Sequence, residues 1–219
     1  MQSCLMCQMT LAEWKPAIAV HKKNFMVKRG EQIFTEGDPV TGVYFVTSGN
    51  VKVHKRWGDK ELILRFANAG KIFGHRGIGL ESQVYPISAT ALEETQLCFI
   101  PIDFFKATLK VNTEFMYNLL LFYADELQNS ERKMRNLALM PVKSRLAVAL
   151  INLQTQFGLS SDGFIDVELS RQDLAAYAGA TYETVFRTLN EMMMENLILT
   201  HGKKIQIANE VDLQLLTNG

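Results

Sequence analysis

The placement of glycine and proline constrains this chain more than any other feature. Nine of the 14 glycines fall between Gly30 and Gly79, and then neither glycine nor proline interrupts the stretch from Val111 until Pro141. The first stretch must turn every few residues, whereas the second is free to run as one long helix. One uniform architecture cannot satisfy both, so the 219 residues divide into parts with separate cores.

Residues 24–102 carry short β-type runs: Val43-Tyr44-Phe45-Val46, Val51-Lys52-Val53-His54 and Leu62-Ile63-Leu64-Arg65-Phe66. Gly37-Asp38-Pro39, Ser48-Gly49-Asn50 and Gly58-Asp59 separate them as turns. The spacing predicts an antiparallel β-roll, which sets a first domain at 1–110.

The second part, 111–140, predicts a long helix. Leu120, Tyr123, Leu127, Ser130, Met134 and Leu137 recur at alternating spacings of three and four, the a/d seam of a helix that pairs with another. Phe115, Leu119 and Phe122 lie partly off that seam and are placed to pack on the roll. One apolar face for the chain itself and one for a partner predict a homodimer.

The third part, 141–219, reads as helix and then hairpin. A helix is expected over Arg145–Leu153, and Phe164–Leu169 alternates like a short strand. Ser170 stands as N-cap with Asp173 three residues on, close to a capping box. That helix reaches Ala178, Gly179 supplies a tight turn, and Thr181 caps a second helix running to about Glu195. Ile198-Leu199-Thr200 and Ile205-Gln206-Ile207 flank His201-Gly202-Lys203-Lys204 as a hairpin. Helix, turn, helix and hairpin make a winged helix-turn-helix. The fold class is therefore α+β.

Charge weighs against a purely electrostatic nucleic-acid binder. The chain is neutral overall, and residues 141–219 carry six Lys/Arg against nine Asp/Glu. Binding must come from a few placed residues, doubled in a dimer. Apolar runs fall far short of the roughly 20 residues that span a bilayer, and no basic stretch precedes an apolar one at the N-terminus. A cytoplasmic location without membrane contact is expected. No Gly-x-Ser-x-Gly, His-Glu-x-x-His or phosphate loop appears and the four histidines are scattered, so no enzyme is expected. The odd number of cysteines, Cys4, Cys7 and Cys98, argues against a disulfide framework.

With these features in hand, the chain resembles the Crp/Fnr family of transcription factors over nearly its whole length. The resemblance rests on Ser170-Arg171-Gln172-Asp173-Leu174-Ala175 followed by Gly179, on Glu183-Thr184-Val185-Phe186-Arg187, on Asn196 to Lys203, and on Arg29-Gly30-Glu31 with Phe34 and Gly37-Asp38. It implies a cyclic-nucleotide-binding-type roll, a dimerisation helix and a winged helix-turn-helix. It also implies a double-stranded palindromic operator and RNA polymerase as partners. Glu183 and Arg187 are four residues apart and share a helix face; the resemblance assigns them to cytosine and guanine edges in the major groove. Thr181, Tyr182 and Phe186 flank them, Arg171 and Gln172 match positions near the phosphates, and His201 and Lys203 stand on the wing. The alternative is a nucleotide-responsive roll that regulates a protein partner, which would have no need of Glu183, Arg187 or the wing.

For the sensor, the resemblance divides. In the cyclic-AMP-binding branch, an acid grips the ribose and an Arg-Ser pair grips the phosphate. Here His75 stands in place of the acid, and Tyr85 and Pro86 replace the pair. Arg76 lies nearby at another position. Cyclic AMP is therefore not expected, and Gly74, His75, Arg76, Tyr85, Pro86 and Ser88 are kept as a candidate effector pocket. The stretch Gly74 to Gly79 is closer to the Fnr-like branch. There, Cys4, Cys7 and Cys98 resemble ligands of an oxygen-responsive iron-sulfur cluster, with His21 or His75 as a fourth ligand or the fourth position open. A thiol switch, or another metal including haem through His75, is open beside it, as is a purely structural role for all three thiols.

Overall fold

Helices α1 (Leu5–Met9) and α2 (Lys15–His21) precede eight strands: β1 (Lys23–Val27), β2 (Gln32–Phe34), β3 (Gly42–Ser48), β4 (Val51–Trp57), β5 (Lys60–Ala67), β6 (Ile72–Phe73), β7 (Ser88–Ala91) and β8 (Thr95–Pro101). This computed structural model describes residues 5–79 and 83–218. The strands form two four-stranded sheets, ordered β1-β8-β3-β6 and β2-β7-β4-β5. Strand β3 explains the layering. Its successive side chains point to opposite faces, and both faces are buried. Tyr44 and Val46 join Phe34, Phe73 and Tyr85 in one core cluster. Val43 and Phe45 join Cys98, Ile100 and Phe105 in another.

The second cluster is closed by helices. Met6 of α1 and Ile18 of α2 are fully buried in it. These two N-terminal helices carry no clear periodicity in sequence, and the connection between them is fixed by polar contacts. The Trp14 indole donates to Thr108 Oγ1 at 3.0 Å, and the Leu11 amide donates to Asn112 Oδ1 at 2.8 Å. Asn112 also corrects the expected helix over 111–140. It is buried and non-helical between α3 (Ile102–Val111) and α4 (Thr113–Leu139). Its side chain serves the Leu11 amide and the Thr108 carbonyl, so the chain breaks where neither glycine nor proline marks a break.

The chain separates into two units, one of residues up to 59 and 64–129, the other of 60–63 and from 130 onward. Helix α4 therefore belongs to both, and the boundary falls inside the helix expected to form a domain of its own. In the second unit, α5 (Val142–Phe157) is longer than expected because Pro141 occupies its N-cap and fixes the entry. Then follow α6 (Arg171–Ala178), α7 (Tyr182–Met194), β9 (Ile198–His201), β10 (Lys204–Ile207) and α8 (Glu210–Leu215). The strand expected over Phe164–Leu169 is absent. Ile165 makes one bridge, to Leu159, and its amide donates to Ile205 O at 2.9 Å. The Val167 amide turns back to Ile165 O, which ends any ladder.

Both expected caps form. Ser170 Oγ accepts from the Asp173 amide at 2.9 Å and Thr181 Oγ1 from the Thr184 amide at 3.3 Å. Gly179 sits between the helices at φ 65°. The left-handed backbone favours glycine there; a Cβ would press on a Leu137 methyl, the mobile end of that side chain.

Candidate nucleic-acid interface and sensor site

Helix α7 presents two sides of different chemistry. Val185, Thr188, Leu189 and Met192 are buried, which anchors the helix on its own domain. Thr181, Tyr182, Glu183, Phe186 and Arg187 are exposed. The Arg187 side chain is 74% exposed and only loosely paired with Glu191, at 3.8 Å, so its guanidinium is available to an incoming surface. Glu183 lies one turn away on the same side.

The other residues expected at DNA divide. Gln172, His201 and Lys203 are exposed. Arg171 is half-buried, and its guanidinium donates to the carbonyls of Gly202 at 2.9 Å and Lys203 at 3.4 Å. It ties α6 to the wing turn, a task with no sequence signal because the turn lies 31 residues away. Partial burial lowers its pKa.

In the first unit, Gly74 approaches Tyr85, but the candidate effector side chains are committed to other parts of the roll and to α4. The Tyr85 ring stacks on Phe34 at 3.9 Å, and its hydroxyl donates to Gly42 O at 2.8 Å and accepts from the Gly42 amide at 3.2 Å. Phe34, Tyr44 and Phe73 continue the aromatic packing. Ser88 Oγ accepts from the Glu36 amide at 2.9 Å, and Pro86 is half-buried. Gly74 opens the turn at φ 79°. No cationic side chain stands at positions 85 and 86, where a cyclic phosphate would need one.

His75 is fully buried, edge-on to Phe122 and Tyr123 of α4 at 5.1 Å each. Burial, with Arg65 and Arg76 nearby, pushes its pKa well down, so the ring is neutral. Neither ring nitrogen has a hydrogen-bond partner among the described residues. The Tyr123 hydroxyl donates to His75 O at 2.6 Å, and Arg76 pairs with Glu126 of the same helix. The turn and the helix are thus fastened to each other by polar contacts. Sequence reasoning found His75 and Arg76 but missed Arg65 and Glu126, which lie in a strand and a helix without any local motif.

The seam on α4 divides in the same way. Leu120, Leu127, Ser130 and Met134 are exposed. Tyr123 and Leu137 are half-buried and serve their own units, Tyr123 at His75 and Leu137 at Gly179. Exposed Met116 continues the spacing one step earlier.

Cys4 lies outside the described residues. Cys7 is half-buried and packs against the cluster that contains buried Cys98. Burial, and then the charge of Cys7, pushes the Cys98 thiol up to about 11. His21 stacks on Phe104 at 4.0 Å with Nδ1 at the Ala17 carbonyl. Among the described residues no three His, Cys, Asp or Glu side chains converge to hold a metal. The chain has three cysteines, whereas a cubane cluster takes four ligands. The described residues do not build that ligand set.

Comparison with known proteins decides the family. The Cyclic nucleotide-binding domain matches residues 25–112 and the Crp-like helix-turn-helix domain matches 144–216. Electron transport regulator A of Shewanella oneidensis is 30% identical over 196 residues, covering 87% of this chain and 76% of that protein. The chain belongs to the Crp/Fnr family. The transcriptional activator protein anr of Pseudomonas aeruginosa is 28% identical over 220 residues, 99% of this chain and 89% of its own. The solved structure of FixK2 from Bradyrhizobium japonicum superposes with a TM-score of 0.80 at 24% identity, covering 90% of this chain and 98% of that one. Crp/Fnr proteins are DNA-binding transcription regulators, typically homodimeric, and not enzymes. Among the described residues no helix is long and apolar enough to cross a membrane.

Proposed function

We propose that this Crp/Fnr protein acts in the cytoplasm as a homodimer that reads a palindromic operator by placing α7 in the major groove. Arg187 donates to guanine O6 and N7, and Glu183 accepts from a cytosine N4 amino group. Lys203, His201, Gln172 and Thr181 take the backbone, and Arg171 holds the wing in position. Leu120, Leu127 and Met134 meet their counterparts in a second copy. The DNA-bound dimer recruits or blocks RNA polymerase. The observation that carries this reading is the exposed Glu183–Arg187 pair on a helix whose opposite side is anchored, set between a capped α6 and a wing. The input arrives at the roll, whose contacts from His75 and Arg76 to α4 join the sensing and dimerising parts. Cyclic AMP does not suit that roll, because an aromatic stack fills the site and no cation meets a phosphate.

Selection of an operator from random duplexes, followed by titration of wild type and the Glu183→Ala/Arg187→Ala variant, tests the reading. Wild type selects an inverted repeat with half-sites about one helical turn apart, and the variant loses discrimination. Equal binding by both proteins overturns it.

A further inference from the structure

The recognition helix carries two aromatic rings that its own core does not use. Tyr182 is 45% and Phe186 51% exposed, and the rings stack at 6.2 Å with 15° between their planes. Val185, Thr188, Leu189 and Met192 already fill the core side of the helix. The rings are therefore held in place, one turn apart, with large apolar faces in water. Leaving such surface exposed is unfavourable, and the two stacked rings offer it to whatever α7 meets.

What it meets follows from its position. At about 100° per residue, Tyr182, Phe186, Glu183 and Arg187 succeed one another around a single side of α7. Phe186 lies about 60° from Glu183 around the helix, so it faces DNA when Glu183 does, with Tyr182 at the edge of that side. A major-groove floor offers hydrogen-bond donors, acceptors and one kind of apolar group, the C5-methyl of thymine. Residues 141–219 carry three more acidic than basic side chains, so this domain draws less than usual on phosphate attraction and more on contacts at base edges.

We infer that Phe186, braced by Tyr182, reads the C5-methyl group of a thymine in each half-site. This rests on the placement of α7 in the major groove proposed above. Consecutive residues are about 3.8 Å apart and base pairs about 3.4 Å, so the thymine lies within about two base pairs of the guanine read by Arg187. Tyr182 keeps its hydroxyl toward solvent or phosphate while its ring limits the rotamers of Phe186.

The test changes the DNA first, which leaves protein folding untouched. Each thymine of the selected operator is replaced by deoxyuridine, which lacks only the methyl group, and wild type, Phe186→Ala and Arg187→Ala are titrated on every duplex. One thymine per half-site is expected to be sensitive, with affinity falling about fourfold, the worth of about one buried methylene. Replacing it in both half-sites gives about fifteenfold for additive contacts. Phe186→Ala binds thymine and deoxyuridine duplexes alike, whereas Arg187→Ala keeps the preference and instead becomes indifferent to 7-deazaguanine nearby. A wild type insensitive at every thymine overturns the inference, as does a preference that persists in Phe186→Ala. In either case the sensitivity of wild type to Arg187→Ala leaves the reading of α7 standing. A wild type that selects no operator overturns both.

Discussion

The Arg76 guanidinium donates to the Glu126 carboxylate at 2.8 Å, joining the turn that begins at His75 to helix α4. Arg65 approaches the same carboxylate at 3.1 Å, and the side chains of Arg65, Arg76 and Glu126 are 15%, 24% and 14% exposed. One carboxylate therefore answers two largely sequestered cations. Glu126→Gln keeps the shape and removes the charge, which leaves both guanidiniums without a counter-ion. The loss is expected at about 3 kcal/mol, the low end for breaking a buried pair, because Arg76 is partly hydrated. Urea unfolding of the full protein checks it, with a lower midpoint at unchanged slope. A wild-type midpoint in Glu126→Gln would show that the cluster is solvated and contributes nothing.

That cluster marks how far the sequence could be read. Strands, caps and the α6–α7 turn follow from local chemistry. A run of β-branched and aromatic residues made β3, Ser170 and Thr181 announced helices, and Gly179 met a left-handed position that favours glycine. Glu183 and Arg187 were legible because i and i+4 on a helix share a side whatever the tertiary structure. Arg65, Glu126 and the wing contact of Arg171 were not. Each bond links residues far apart in sequence, and no local pattern encodes the partner. The break at Asn112 was hidden for the same reason, since it is paid by Leu11, 101 residues away. The absent strand at Phe164–Leu169 shows the converse: an alternating pattern needs a neighbour along its whole length, and here the backbone pairing is confined to Phe164–Asp166.

Lys133 predicts a pH dependence of stability. Its ammonium donates to Ile63 O and lies 4.3 Å from the centre of the Tyr177 ring. Burial lowers its pKa from 10.5 to about 8, even though the ring favours the charged form. Below about pH 8 the folded and unfolded chains both hold this proton and the fold carries the full cost. Between about 8 and 10.5 the unfolded chain keeps the proton that the folded one has released, so stability rises with pH. The gain, on the order of 3 kcal/mol, appears as a positive slope in wild type that Lys133→Met lacks. Parallel slopes for the two proteins across pH 8–10.5 would mean that Lys133 stays charged in the fold.

Cys98 predicts a difference in thiol reactivity. With its pKa raised to about 11, its thiolate at pH 8 is about a hundredfold scarcer than that of an ordinary thiol near 8.5, and β8 shields it further. Iodoacetamide labelling followed by peptide mass spectrometry is expected to modify Cys98 at least about a hundredfold more slowly than a free cysteine standard. In urea the rate rises to that of the standard. Rapid labelling of Cys98 in the folded protein would contradict its burial in the core beside Phe45 and Ile100.

The wing separates two kinds of contact that the salt dependence of binding can resolve. Of the six basic side chains in residues 141–219, Lys143 pairs with Glu195 and Lys204 with Asp162. Arg145 donates to Leu137 O, Arg171 to the wing carbonyls. Lys203 stands exposed at the wing turn as the residue most available to phosphate. Lys203→Ala is expected to flatten the plot of log affinity against log salt by about two in a dimer, one per subunit, with little change in operator preference. Arg171→Ala acts differently. It removes exposed charge-assisted bonds worth about 1 kcal/mol to the fold, so the wing loosens and affinity falls with a nearly unchanged slope, because that guanidinium is held by the wing rather than by DNA. Thermal melting of the free protein distinguishes them further, since only the Arg171 variant melts earlier. A salt slope that flattens equally in both variants would place Arg171 on phosphate in the complex and require it to leave Gly202 on binding.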